Sequence, residues 1–433
     1  MEKKKVLILA HDFPPYVSVG GMRPYGWFKY LNKEKYEVTV ITRSWNEKVI
    51  SALDCIRPSS NKAVISEVLE AGIVYRVPYF PNLRDRIILK FGLNKLVFIR
   101  RILSFFIDLF KHSFFFFDSS KEIYKQADKI LQEEVFDFII ATGEPFILFK
   151  YAHLLSKKHQ VKWIGDYRDG WTTNQRKAAL SITEKVLLKN YRVKELKYVR
   201  SASLITTAAQ DYKVELQKFI QNKEIKVILN GFITDKNELL ENKSSIKKFE
   251  ISYLGTLYGH QNVGLFLQGV EAFLIESKLS TDEFQINFIG MDFYREQKER
   301  VLNSSNFVVP YLNFTEKIPF NELPQIIKNT SLLLLLSKKD MNWLNAKIFD
   351  YLLFNRRVLF IGNDYGILEK LLIESENTSI YADEVSAIHS ELNKVYEEFK
   401  QKSFLANENN SAKVFQYSRE NQTKYLEEYL DLL

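Results

Sequence analysis

The chain has 433 residues, a hydrophobic share of 46% and a formal net charge of +8. That is too long for one ordinary domain and apolar enough for two cores of about 200 residues each. A single cysteine, Cys55, excludes an intramolecular disulfide and a multi-cysteine metal site, and it fits a reducing, cytoplasmic setting. No stretch approaches the ~18 uncharged apolar residues of a membrane-crossing helix, so a soluble or peripheral protein is expected.

The first apolar run, residues 6–10, is too short for the core of a secretory signal and suits a first strand. A loop carrying Pro and Gly follows. It ends in Gly20-Gly21-Met22-Arg23 and opens a helical stretch, and a second β-rich run follows at 36–42. Strand, glycine loop, helix, strand is the shape of a phosphate-handling βαβ unit. The glycines let backbone N–H groups approach an anion, the helix N-terminus favours negative charge, and Arg23 adds a full positive charge. Further strands are expected at 74–79, 137–142, 162–166, 203–208 and 226–230.

Between Arg84 and His112 stand seven basic residues against two acids, interleaved with Ile, Leu, Val and Phe. The segment 84–117 reads as one or two basic, strongly apolar helices. Such helices either lie in a membrane interface, held by apolar burial and anionic lipid, or pack on a core with a solvated basic side. Nucleic-acid binding is disfavoured, because the charge is local and no recognised module accompanies it.

The polar stretch 234–248 has no apolar period and reads as a linker. The expected organisation is an N-terminal Rossmann-like domain over 1–235, a linker over 236–248 and a second Rossmann-like domain over 249–410. A C-terminal segment follows at 411–433. In the second half short buried-type strands are expected at 249–255, 284–290, 307–312, 331–337, 356–362 and 377–382. Helices are expected between them, at 262–278, 294–303, 322–328, 345–354, 365–374 and 384–400. This alternation predicts an α/β fold of two doubly wound parallel sheets. Ligands of such sheets bind beyond the strand C-termini, so a cleft between the domains is the expected site.

Three segments after strands could carry chemistry. Asp166-Tyr167-Arg168-Asp169-Gly170-Trp171-Thr172 is either an acceptor or catalytic loop, or an ion network pinning a turn. Gly255-Thr256-Leu257-Tyr258-Gly259-His260-Gln261-Asn262 has two glycines before a helix and could cradle a phosphate. In the stretch Asn345 to Leu352, Lys347 and Asp350 lie three apart on one helix face. Lys347 suits a diphosphate and Asp350 a ribose or sugar hydroxyl pair. The bland alternative is an exposed ion pair worth about 0.2–0.5 kcal/mol. No GxxxxGK[ST], HExxH or GxSxG motif occurs, and histidines 11, 112, 153, 159, 260 and 389 show no metal spacing. The Gly20-Gly21 loop is not GxGxxG, which disfavours an NAD enzyme.

Taken in order, PPYVSVGGMRPYGWFKYL with YEVTVIT, GDYRDGWT, VILNGF, YLGTLYGHQN and KIFDYL resemble the motifs of GT-B glycosyltransferases. The likeness is nearest to glycosyltransferase family 4, of the bacterial type that builds cell-surface polysaccharides. It covers nearly the whole chain. The tail FQYSRENQTKYLEEYL resembles the C-terminal helix that in this fold crosses back to the N-domain.

The resemblance implies an enzyme, a glycosyltransferase of the hexosyl type, moving a sugar from a nucleoside-diphosphate donor to a glycan or lipid-linked glycan acceptor. It also implies retention of anomeric configuration, no cofactor and no essential metal. The setting implied is the cytoplasm, peripheral on the membrane through 84–117. By position, Gly20, Gly21 and Arg23 would face the donor diphosphate together with Gly255, Thr256 and Tyr258. Lys347 would neutralise the diphosphate, and Asp350, where the family usually has Glu, would bind the ribose. Asp166, Arg168 and Asp169 would face the acceptor or the transferred sugar, with Lys347 completing the catalytic set. Thr256 and Gln261 stand where many members carry Arg and Lys, and Asn342 stands where they carry the first Glu of a pair. The alternatives are a nucleotide-sugar epimerase or hydrolase on the same fold, and a non-catalytic nucleotide- or glycan-binding homologue.

Overall fold

The structure is a computed structural model describing residues 2–433 other than 17, 48, 50, 174–179, 234–246, 294, 319–321, 340–342, 355 and 403–410. The expected linker, 236–248, lies outside the described residues but for its last two, and so does Asn342. The chain forms two compact units, Met1–Leu229 with Arg419–Leu433, and Asn230–Ser418.

The first unit is built on β1 (Lys4–Leu9), β2 (Tyr36–Arg43), β3 (Ile65–Leu69), β4 (Gly72–Val77), β5 (Phe138–Gly143), β6 (Lys162–Tyr167), β7 (Leu204–Thr207) and β8 (Ile225–Val227). They form one sheet in the order β3-β4-β2-β1-β5-β6-β7-β8, parallel except for the β3–β4 pair. Val6 to Leu9 and Ile139 to Ala141 are fully buried, which is why their strands read as unbroken apolar runs. β3 was not anticipated. It is an edge strand with Val68 and Leu69 exposed, so it lacks both the unbroken run and the alternation by which strands are recognised.

The C-terminal helix Arg419–Asp431 packs on the helix Val19–Tyr30, as expected. Gly26 permits the contact, because a Cβ there would lie 2.8 Å from Arg419 Cδ. Leu426 and Leu430 join Trp27 and Phe28 in one buried cluster. The Glu427 carboxylate accepts from Asn32 N at 2.6 Å, and Tyr36 Oη donates to Asp431 at 2.8 Å.

The second unit carries β9 (Phe249–Leu254), β10 (Phe284–Ile289), β11 (Leu312–Phe314), β12 (Leu332–Leu336), β13 (Arg357–Ile361) and β14 (Ile380–Tyr381). Their order is β11-β10-β9-β12-β13-β14, and every pair is parallel. The strand expected at 307–312 is corrected: Val309–Tyr311 is a 3₁₀ turn, and the strand begins at Leu312. Pro310 lies inside the expected run and has no N–H to give a ladder.

The basic apolar segment forms two helices, Leu83–Phe91 and Val97–Phe110, parted at Gly92 with φ of 82°. No residue of Val97–Phe110 is buried. Among the described residues no helix is long and apolar enough to cross a membrane.

Candidate functional site

In the first unit the chain leaves β1 through His11 and Asp12. Ser18 caps the following helix, its Oγ accepting from Gly21 N at 3.0 Å and donating to the Asp12 carboxylate at 2.7 Å. His11 Nδ1 lies 2.8 Å from the same carboxylate. Burial pushes the Asp12 carboxyl up, but the bonds from His11 and Ser18 and the nearby Arg168 charge together hold it below its ordinary value. The loop is therefore braced before any ligand arrives.

Arg168 closes over this loop. A Cβ at Gly20 would lie 1.9 Å from Arg168 Nη1, so the guanidinium lies directly against the glycine and a side chain there would displace it. Arg168 Nε also meets Asp169 at 3.3 Å. Gly20, Gly21, Arg168 and Asp169 are thus brought together from two ends of the unit's sequence.

Arg23 and Asp166 are placed elsewhere, which corrects the reading of both. Asp166 lies within β6 and is fully buried, and Arg23 is 1% exposed. Arg23 Nη2 reaches Asp166 at 2.7 Å, and its Nη1 donates to Ile228 O at 2.7 Å. Asp166 also accepts from Thr142 at 2.9 Å and Thr206 at 2.7 Å. Burying a guanidinium and a carboxylate demands such full pairing. Both side chains are thus buried and engaged inside the unit. Together they tie the helix Val19–Tyr30 to the strands beneath it, and the loop proper begins at Arg168.

Glu195, which the sequence did not single out, supports that loop from below. It is fully buried and accepts from Tyr167 at 2.8 Å and Thr172 at 2.5 Å. Burial pushes its carboxyl up to about 7 against those two bonds.

In the second unit β9 ends at Leu254, and Gly255 turns the chain with φ of 74°. The Tyr253 hydroxyl lies 2.8 Å from Thr256 O and 2.9 Å from Gln261 Oε1. Gln261 also accepts from Tyr258 N at 2.7 Å and donates to Leu336 O at 2.7 Å. Arg300 donates to Tyr258 O at 3.0 Å and to Gln261 O at 2.9 Å. Gln261 is therefore a brace inside the loop.

Lys347 begins the short helix Lys347–Leu353, which Tyr351 anchors by accepting from Leu254 N at 3.1 Å and donating to Leu334 O at 2.9 Å. The Lys347 ammonium lies 3.6 Å above the Tyr253 ring and donates to Thr256 O at 3.3 Å. Burial pushes its pKa well below the usual lysine value, and the Asp350 charge offsets this in part. Gly255, Thr256, Tyr258, Lys347 and Asp350 thus gather at the ends of β9 and β12.

Sequence reading missed three neighbours there. Ser337 Oγ and Asn345 Nδ2 are buried without a hydrogen-bond partner among the described residues. Trp343 sets its ring edge-on to Tyr258 at 4.6 Å and to His260 at 5.2 Å. Trp343 and Tyr258 are far apart in the chain, so no local pattern joins them. The serine ending the five-leucine run was the one available signal for Ser337.

The sequence matches no family model and no curated protein. Solved structures do match along the whole chain. Sucrose-phosphate synthase from Thermosynechococcus elongatus aligns with a TM-score of 0.63 at 11% identity, over 99% of each chain. The α,α-trehalose 6-phosphate synthase from Burkholderia multivorans aligns at 0.60 and 10% identity, over 100% of this chain and 97% of that one. Anabaena HepE in complex with UDP-glucose aligns at 0.56 and 11% identity, over 99% and 100%. At such identities the likeness speaks for the fold: this chain has the two-sheet α/β architecture of the GT-B glycosyltransferases.

Proposed function

We propose that this chain is a glycosyltransferase that moves a sugar from a nucleoside-diphosphate donor to a hydroxyl of a glycan or lipid-linked glycan. The observation that carries the reading is the buried Lys347 ammonium at the ends of β9 and β12. Thr256 in the turn that starts at Gly255 meets it, Asn345 stands two residues before it, and Asn345 and Ser337, the latter just past β12, carry spare donors. Among the described residues this ammonium meets a carbonyl, a ring face and the nearby Asp350 charge, and a cation buried in this way is costly until an anion arrives. A diphosphate supplies that anion. As the sugar–phosphate bond breaks, Lys347 stabilises the charge on the leaving diphosphate, the main catalytic contribution expected in such a site. The leaving diphosphate takes the acceptor's proton, so retention requires no separate base. Asp350 holds the nucleotide ribose. Arg168 and Asp169, beside Gly20 and Gly21, serve the first unit's ligand. The work on cell-surface polysaccharide belongs to the same reading.

The exposed helix Val97–Phe110 suits a membrane-borne acceptor. Phe98, Ile99, Ile102 and Phe106 are exposed on it beside Arg101, with Lys90 and Lys95 just before. We assign this face to the surface of an anionic bilayer.

The test is thermal unfolding with uridine and guanosine diphosphate sugars, beginning with UDP-glucose. A ligand at 100 times its dissociation constant adds about 2.7 kcal/mol. One donor should raise the midpoint of the wild type and leave Lys347→Met unmoved, with transfer slowed about 10²–10³-fold. Because burial depresses the lysine, the unfolded state binds more protons than the folded one between that depressed value and the ordinary lysine range. Wild-type stability should therefore rise with pH in that window. Lys347→Met should lose this slope and be no less stable at neutral pH. Unchanged transfer by Lys347→Met would sink the donor site. Free sugar released at the same rate with and without acceptor, and no glycoside formed, would point to a hydrolase.

A further inference from the structure

The first unit holds a cavity of about 600 Å³ that none of the residues above explains. It opens where Glu144 to Ile147 follow β5 and Gly170 and Trp171 follow β6, and the helix Val97–Phe110 walls it with Ser104, Ile107 and Asp108. Its size falls within the ~300–1,000 Å³ typical of small-molecule sites.

Its lining is mixed in a particular way. Phe117, Phe146, Trp171 and Tyr191 present rings, and Phe146 stacks on Trp171 at 5.1 Å. Asn82, Ser119, Ser120 and Glu144 present hydrogen-bonding groups. The two lining cations are already matched, Arg84 to Asp85 at 2.9 Å and Lys111 to Asp108 at 2.6 Å. Asp118 and Glu144 add further negative charge. Such a wall disfavours a phosphate and suits an uncharged molecule with apolar faces and a rim of hydroxyls.

One side chain points independently to a ligand. His112 lines the cavity, is 4% exposed and lies tilted against the Trp171 ring at 4.9 Å. Its Nδ1 has no hydrogen-bond partner among the described residues. Burial, with Lys111, Lys150 and Lys194 nearby, pushes its pKa well below the ordinary value, so the ring is neutral and can accept from a hydroxyl. Buried polar groups of this kind are normally satisfied.

We infer that this cavity binds an uncharged sugar ring, stacked on the aromatic wall and hydrogen-bonded to His112, as the accepting sugar of the transfer proposed above. Only the accepting role rests on the transferase reading; binding of the sugar does not.

The experiment is saturation-transfer NMR on the full chain with the methyl glycosides of glucose, galactose, mannose and N-acetylglucosamine. Ser104→Trp fills the cavity from a half-buried helix position, and His112→Phe removes the spare nitrogen while keeping a stacking ring. At least one glycoside should receive saturation from the wild type, and its affinity should fall at least about tenfold in each variant. The midpoint shift given by the nucleotide sugar should persist in both. No transfer to any glycoside, or transfer undiminished in the folded variants, overturns the inference. A nucleotide-sugar shift without glycoside binding leaves the donor reading standing and removes the cavity. Glycoside binding lost in the variants, with no nucleotide-sugar shift, keeps the cavity and removes the donor reading.

Discussion

Arg23 shows how far a residue's role can depart from its local setting. In sequence it stands two residues after a glycine pair at a helix start, where a cation reads as a phosphate ligand. In the fold its guanidinium is spent on Asp166 and on the carbonyls of Ile228 and Leu229. Removing one member of a buried pair strands the other charge at a cost of about 3–5 kcal/mol. Arg23→Met should therefore lower the unfolding free energy by that amount, measured by denaturant titration. Adding Asp166→Asn should recover most of the loss, because a neutral amide can accept from one of Thr142 and Thr206 and donate to the hydroxyl oxygen of the other. A variant with normal stability and lost donor binding would restore the phosphate reading. The pairing was not legible beforehand, since 143 residues separate the partners. Lys347 and the Gly255 turn were legible, because strand end, turn and helix start lie within a few residues of one another. Gln261 read as a missing cation; its amide in fact bridges the loop to Leu336, a role that only the third dimension defines.

At the scale of elements, burial explains which strands the sequence announced. β1, β5 and β12 are covered on both faces and read as apolar runs, whereas the edge strand β3 and the proline-shifted β11 did not. The turn after β6 depends on a group of the same hidden kind. Glu195, on the helix Ile182–Val199, clamps Tyr167 and Thr172 on either side of Arg168 and Asp169. Its carboxyl, ordinarily at 4.5, is pushed up to about 7 by burial. Between these values the folded chain holds a proton that the unfolded chain releases. The group's contribution is then full below about pH 4.5 and lost as pH rises through about 7, a change of ~3 kcal/mol. Glu195→Gln should flatten this fall in stability between pH 5 and 8, seen in unfolding titrations at a series of pH values. An unaltered slope would show that the carboxyl titrates normally in the fold.

For the whole molecule, a net charge of +8 matters through where it stands. Lys90, Lys95 and Arg101 are exposed beside Phe98, which is 75% exposed, and Phe116, 85% exposed, lies on the same stretch of chain. A cation near an anionic bilayer contributes about 1 kcal/mol, so these three together are worth about a hundredfold in binding. Each phenylalanine that enters the interface adds about 1.5–3 kcal/mol at full burial. Co-sedimentation should therefore show the chain bound to phosphatidylglycerol vesicles and nearly free of phosphatidylcholine ones. Raising salt should release it, since charges beyond ~8 Å are screened near 0.15 M. Replacing the three cations by alanine should weaken anionic-vesicle binding about a hundredfold, and Phe98→Ser with Phe116→Ser should weaken binding at any salt. These side chains lie outside the buried clusters, so neither set should shift unfolding by more than about 0.5 kcal/mol per substitution. Equal sedimentation with and without anionic vesicles would mean that the exposed phenylalanines serve a protein partner, and the membrane assignment would fall.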